Sequence, residues 1–153
     1  MNNLEIQPIT NEAALFIKKN KTLVIADLHI GIESELFEKG LQVSSQTKNM
    51  LEKIHDLISK YNAKSIVLLG DIKHNIPSST YQERSDVRKF LFDIQSIIKV
   101  HIIPGNHDGN ISRFTNSNIE IHPSSGVILD GIGFTHGPEA LKRPLFSGKI
   151  QSF

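Results

Sequence analysis

Residues 22–29 read Thr-Leu-Val-Ile-Ala-Asp-Leu-His. The first five carry no charge, and three of them are β-branched. An unbroken apolar run of that length is what a strand needs when both of its faces are covered, as in a parallel sheet between two layers. The run ends on a carboxylate, Asp27, with an imidazole, His29, two residues later. The same design recurs twice. Residues 65–71 read Ser-Ile-Val-Leu-Leu-Gly-Asp, and residues 100–108 read Val-His-Ile-Ile-Pro-Gly-Asn-His-Asp. Three buried-type strands therefore each end in a polar cluster.

The segments between them have helical periodicity. Over residues 45–61, Met50, Leu51, Ile54, Leu57 and Ile58 recur at steps of three and four, with Lys48, Glu52, Lys53 and Lys60 on the other side. Residues 79–98 give a second helix with Val87, Phe90, Leu91, Ile94 and Ile97 along one face, and Ser79, Ser85 or Asp86 as its cap. Strand–helix–strand alternation implies parallel strands in one sheet. A further strand is expected over residues 13–18. Short ones are expected over 119–122, 126–129 and 132–135, as antiparallel additions or a second sheet, with Asp130-Gly131 as a hairpin turn. The fold class is α/β.

Composition narrows the function classes. The chain has 153 residues, the size of one domain. Seventeen Lys and Arg against 16 Asp and Glu leave a net charge of +1, which supplies no broad basic surface for nucleic acid. There is no Cys, which excludes disulfides, thiolate catalysis and Cys-based zinc sites. The first 20 residues lack the basic and apolar regions of a secretory signal, and no apolar run reaches a membrane span, so the expected location is cytoplasmic. Neither Gly-x-x-x-x-Gly-Lys-[Ser/Thr] nor Gly-x-Gly-x-x-Gly is present, which disfavours a nucleotide-binding α/β domain.

In an open α/β sheet, ligands bind beyond the carboxyl ends of the strands. Three adjacent parallel strands would bring Asp27, His29, Asp71, Asn106, His107 and Asp108 together there. Carboxylate, imidazole and amide oxygen suit Mn, Fe or Zn, with no soft sulfur on offer. Asp27 and His29, two apart on an extended strand end, would face one side. Gly70 and Gly105 suit a backbone that turns sharply close to a ligand.

At this point the sequence resembles a family. Asp27-x-His29, Gly70-Asp71, Gly105-Asn106-His107-Asp108 and Thr135-His136-Gly137 form, in order and spacing, the signature of the calcineurin-like metallophosphoesterases. The wording ADLHIGIE, LGDIKH, IPGNHD and THGP is similar to the Mre11/SbcD-related branch, over about residues 12–140. The resemblance implies a metallophosphoesterase-like α/β sandwich, with mixed β-sheets flanked by helices, in a single domain over 1–153. It implies two divalent ions, Mn2+ first, with Fe, Zn, Ni or Mg as alternatives. One would take Asp27, His29 and Asp71; the other would take Asp71, Asn106 and His136. His107 would serve as general acid with Asp108 orienting it, and Asn106 and His107 would meet the substrate phosphate. Apart from the resemblance, His74, three residues after Asp71, is expected either to meet that phosphate too or to be a solvated loop residue. Two ions roughly 3.5–4 Å apart can clamp a phosphoryl group and activate a water for in-line attack.

The family pattern closes with Gly-His-x-His. Only 17 residues follow His136, with no His among them and Glu139 as their one acidic residue. The C-terminal part is therefore expected to be incomplete, with each metal short of one protein ligand. Three explanations stand: a chain cut before the last motif, gaps filled by water, phosphate or Glu139, or a degenerate relative with little activity. The leading function is metal-dependent hydrolysis of phosphodiesters or phosphomonoesters, with nucleic acid or nucleotides as first substrates. The alternative is a non-catalytic metal-binding domain. Lys73 is expected beside His74 at the mouth of the site. His55, His101 and His122 are read as structural or surface residues, and Arg113 as solvated.

Overall fold

The computed structural model describes residues 5–42, 46–74, 81–116 and 118–136. A six-stranded mixed sheet forms its centre. In chain order and also in spatial order, its strands are β1 (Ile6–Pro8), β2 (Ala14–Ile17), β3 (Thr22–Ala26), β4 (Ser65–Leu69), β5 (Lys99–Ile103) and β6 (Ile119–Ile121). β3 to β6 run parallel, and β1 and β2 are antiparallel additions beside β3. Three helices, α1 (Ile32–Glu38), α2 (Thr47–Tyr61) and α3 (Tyr81–Gln95), fall between the strands. A hairpin of β7 (Val127–Leu129) and β8 (Ile132–Phe134) forms a second sheet.

Alternation along the strands sends side chains to two cores. Leu23, Ile25, Ile66, Leu68, Val100 and Ile102 pack with Ile54 of α2 and with Val87, Phe90, Leu91 and Ile94 of α3. Their neighbours Val24, Ala26, Val67, Leu69 and Ile103 pack with Ile132 and Phe134 of the hairpin. All five residues of β3 are buried for this reason, as the continuous apolar run requires.

The local chemistry explains the boundaries. α2 ends at Asn62 in the left-handed region (φ 50°), whose amide reaches Ser59 O, while the Ala63 amide reaches Ile58 O. This is the usual way a C-terminal turn satisfies its last carbonyls. Asp130 (φ 51°) and Gly131 (φ 81°) both take the left-handed conformation that a tight hairpin turn needs.

Several expectations need correction. Residues 119–122 do not add antiparallel; β6 lies parallel to β5, because the 15-residue connection, with a 3-10 turn at Ile111–Phe114, is long enough for a crossover. α3 stops at Gln95, so Ile97 leaves the apolar face and is 52% exposed. Ser85 and Asp86 lie within α3 and do not cap it. β1, exposed throughout and ending in Pro8, and the short α1 carry no clear periodic signal. Ser79, Glu139 and the expected C-terminal gap lie outside the described residues. Among the described residues, no helix is long and apolar enough to cross a membrane.

Candidate functional site

The carboxyl ends of β3, β4 and β5 stay bonded past the strands themselves. Gly70 N–H donates to Ile103 O (2.8 Å), Asp27 N–H to Gly70 O (3.1 Å) and His29 N–H to Asp71 O (2.9 Å). Asp27, His29 and Asp71 each take positive φ, at 55°, 46° and 50°. Residues other than Gly seldom do so, and Asp and His tolerate it better than most. The Asp27-x-His29 segment is therefore not the extended piece expected, and its two side chains join different groups.

Asp27, Asp71 and His136 form the first group, with ligand atoms mutually within 4.8 Å. His136 Nε2 lies 2.8 Å from Asp27 Oδ1 and 3.8 Å from Asp71 Oδ2. His29, His74 and His107 form the second. The His29 ring meets the other two edge-on, with centroids 5.6 Å from His74 and 5.1 Å from His107. The groups adjoin, since His29 Nε2 is 4.0 Å from Asp71 Oδ2.

Two glycines make room for these side chains. A Cβ on Gly70 would land on the His136 ring. A Cβ on Gly105 would lie 2.6 Å from the Asp71 amide nitrogen and 2.8 Å from His136 Nδ1. The close approach anticipated at these positions is thus an approach to the site's own side chains.

The Gly105–Asp108 turn is pinned by carboxylates. Asp108, 3% exposed, accepts from Lys73 N–H (3.0 Å) through Oδ1 and from Gly105 N–H (2.8 Å) through Oδ2. Burial pushes its carboxyl above the usual range, against the pull of these backbone donors. Asp71 Oδ1 accepts from His107 N–H (3.0 Å). His107 Nδ1 donates to His74 O, which fixes the proton on Nδ1. Asn106 sits exposed in the same turn.

The donor set suits a divalent cation. Two carboxylates stand beside four imidazoles, the mix of hard and borderline ligands that first-row ions favour. The ring nitrogens that face the carboxylates are Nε2 of His29 and Nε2 of His136, and Asp71 Oδ2 is the oxygen between them, so an ion would be met by these three atoms.

All the sequence-derived site residues fall in this region: Asp27, His29, Asp71, His74, Asn106, His107, Asp108 and His136. Their grouping differs from the expected one, with His136 beside Asp27 and His29 beside His74 and His107. Lys73 is not at the mouth. It is 2% exposed, with its ammonium 5.3 Å from the centre of the Phe114 ring. Sequence reasoning also missed a third group, His101, Glu120 and His122. The signal was present as alternation in His-x-Ile and Glu-x-His, but only the β5–β6 register pairs them.

Residues 21–149 match the family model described as calcineurin-like phosphoesterase. Among solved structures, the nuclease MPE of Pseudomonas putida is 21% identical with a TM-score of 0.60, over 88% of this chain and 67% of that one. Yfce, a phosphoesterase from E. coli, is 20% identical with a TM-score of 0.48, over 76% of this chain and 57% of that one.

Proposed function

Because the chain belongs to the calcineurin-like phosphoesterase family, we propose that it hydrolyses phosphoesters at the carboxyl ends of β3, β4 and β5. The observation that carries this reading is the convergence of two carboxylates and four imidazoles from separate segments on one end of the sheet. Asp27, His29, Asp71, Asn106 and His136 would hold two divalent ions, Mn2+ first. When bound, such ions polarise a phosphoryl oxygen and make water nucleophilic near neutral pH.

The chain's own residues supply the rest. Asp71 contributes twice: its Oδ2 faces His29 and His136, and its Oδ1 holds the His107 amide. That link ties the position of the proton donor to that of the ligand. With Nδ1–H committed to His74 O, His107 exchanges protons through Nε2. Protonated there, it gives the leaving-group oxygen the proton that an alkoxide needs. Asp108 acts on the same turn without touching substrate, by holding the Gly105 and Lys73 amides. His74, beside His107, is a phosphate contact.

Phosphodiesters are the first substrates to test, with nucleic acid and nucleotides among them. The Mre11/SbcD-like motif wording and the nuclease described for Pseudomonas putida support that choice. The net charge of +1 favours short or single-site substrates over tight non-specific DNA binding. The test is Mn2+-dependent hydrolysis of bis-p-nitrophenyl phosphate, with Asp71→Asn as the comparison. Loss of the carboxylate that would serve both ions should lower turnover by more than the roughly 10–100-fold typical of residues behind a ligand. No turnover with Mn2+, Fe2+, Zn2+, Ni2+ or Mg2+ would overturn the reading in favour of a non-catalytic metal-binding domain.

A further inference from the structure

Outside that site, β5 and β6 bring His101, Glu120 and His122 together. His101 pairs with Glu120 in the parallel register, and the chain continues through Ile121 to His122, whose amide donates to Ile102 O (2.8 Å). Alternation puts all three side chains on the sheet face that carries Val67 and Ile103. His101 lies four residues before Gly105, about 13 Å of extended chain from the phosphoesterase centre.

We propose that His101 Nδ1, Glu120 Oε2 and His122 Nε2 form a separate binding site for a divalent transition ion, with Zn2+ the best match. The distances carry the argument. His101 Nδ1 is 3.0 Å from His122 Nε2 and 3.4 Å from Glu120 Oε2, and Glu120 Oε2 is 3.8 Å from His122 Nε2. The in-plane point equidistant from atoms so spaced lies about 2.0 Å from each, and the shift of about 0.7 Å out of that plane that a fourth ligand requires lengthens this to about 2.1 Å, within the range of Zn–N and Zn–O bonds. Two imidazoles and one carboxylate favour Zn2+, Ni2+ or Cu2+ over Mg2+ or Ca2+. Three protein ligands leave a fourth position for solvent.

The surroundings allow entry. β6 is the edge strand of the sheet, and the Glu120 side chain is 50% exposed while the histidines behind it are largely covered. Lys99 Nζ pairs with Glu120 Oε1 at 3.1 Å, so Oε2 is the oxygen that faces the imidazoles. Without an ion, the 3.0 Å nitrogen pair is one N–H···N hydrogen bond between near-parallel rings. Ion binding turns the rings and moves the shared proton to the far nitrogen of its own imidazole, with no net proton loss. A bound ion would then fasten the three-residue edge strand to β5.

The site is independent of the phosphoesterase reading and can be tested apart from it. The full chain carrying Asp27→Asn, Asp71→Asn and His29→Gln, which breaks both groups of the phosphoesterase centre, is loaded with Zn2+, dialysed and assayed for retained metal. About one equivalent should remain, and adding His122→Gln should remove it. Glu120→Gln, at a half-exposed position, is the second variant if circular dichroism shows that His122→Gln misfolds. Co2+ should give the visible bands of a four-coordinate ion in the same background, and each added substitution should abolish them. Zn2+ retention unchanged by both substitutions, or absent from the background variant, would overturn the proposal.

Discussion

Gly105→Ala offers the sharpest test of how the site is built. The substitution adds one methyl group, at a residue whose φ is not in the left-handed region, so any effect is steric. The new Cβ would sit 2.6 Å from the backbone nitrogen of Asp71, whereas ordinary contact begins at 3.4 Å. The turn and Asp71 must therefore separate by about 0.8 Å, and backbone yields far less readily than a side-chain tip. The same Cβ meets Asp71 Oδ1, which holds the His107 amide, and His136 Nδ1. One methyl thus disturbs a shared carboxylate, its neighbouring imidazole and the proton donor together.

Overpacking of this kind costs about 1–3 kcal/mol in stability. A misplacement near 1 Å at a reacting site costs about 100-fold in rate. Gly109, four residues on, is the internal control, because a Cβ there meets nothing within 4 Å and its φ is not positive. Gly109→Ala should be neutral or stabilise by about 0.4–1 kcal/mol. Urea unfolding of both variants in EDTA would give the stabilities, and Mn2+-dependent diester hydrolysis the rates. The steric account fails if Gly105→Ala keeps activity within a few-fold of the parent, or if Gly109→Ala is equally harmful.

Asp108→Asn loses one of two accepting oxygens and should destabilise by about 1–3 kcal/mol, the cost of one unpaired buried N–H. Because burial raises the Asp108 pKa in the fold, its ionisation weakens the native state as pH rises from 3.8 through the raised value. The parent's advantage over Asp108→Asn in metal-free unfolding should therefore shrink toward neutral pH; an advantage that grows would contradict this. Ile54→Ala, in the core under α2, should cost about 2–5 kcal/mol while leaving turnover at permissive temperature unchanged, as thermal melts and diester assays would show. Adding Mn2+ to chelator-treated protein should raise the melting temperature, by about 2.7 kcal/mol of added stability at 100 times Kd. Asp27→Asn should lose most of that rise.

Apolar runs identify β3, β4 and β5 in the sequence because a strand covered on both faces has no solvent side on which to place polar residues. The polar clusters are legible for the complementary reason: a buried strand that ends abruptly in Asp, His or Asn has reached the edge of the sheet. Strand ends therefore name Asp27, His29, Asp71, Asn106, His107 and Asp108, whereas His136 is legible only through the family resemblance. Neither says which of these residues touch. His29 joins His74 and His107 because positive φ at Asp27 and His29 rotates neighbouring side chains apart, and the periodicity of the sequence carries no trace of that rotation. Lys73, beside His74 in sequence, turns inward to Phe114. His101, Glu120 and His122 read as three unrelated polar residues until a crossover lays β6 parallel to β5. Composition and local pattern determine which residues stand at strand ends, since those depend on each segment's own burial. Which of them meet depends on register and backbone rotation between distant segments, and only the tertiary structure decides that.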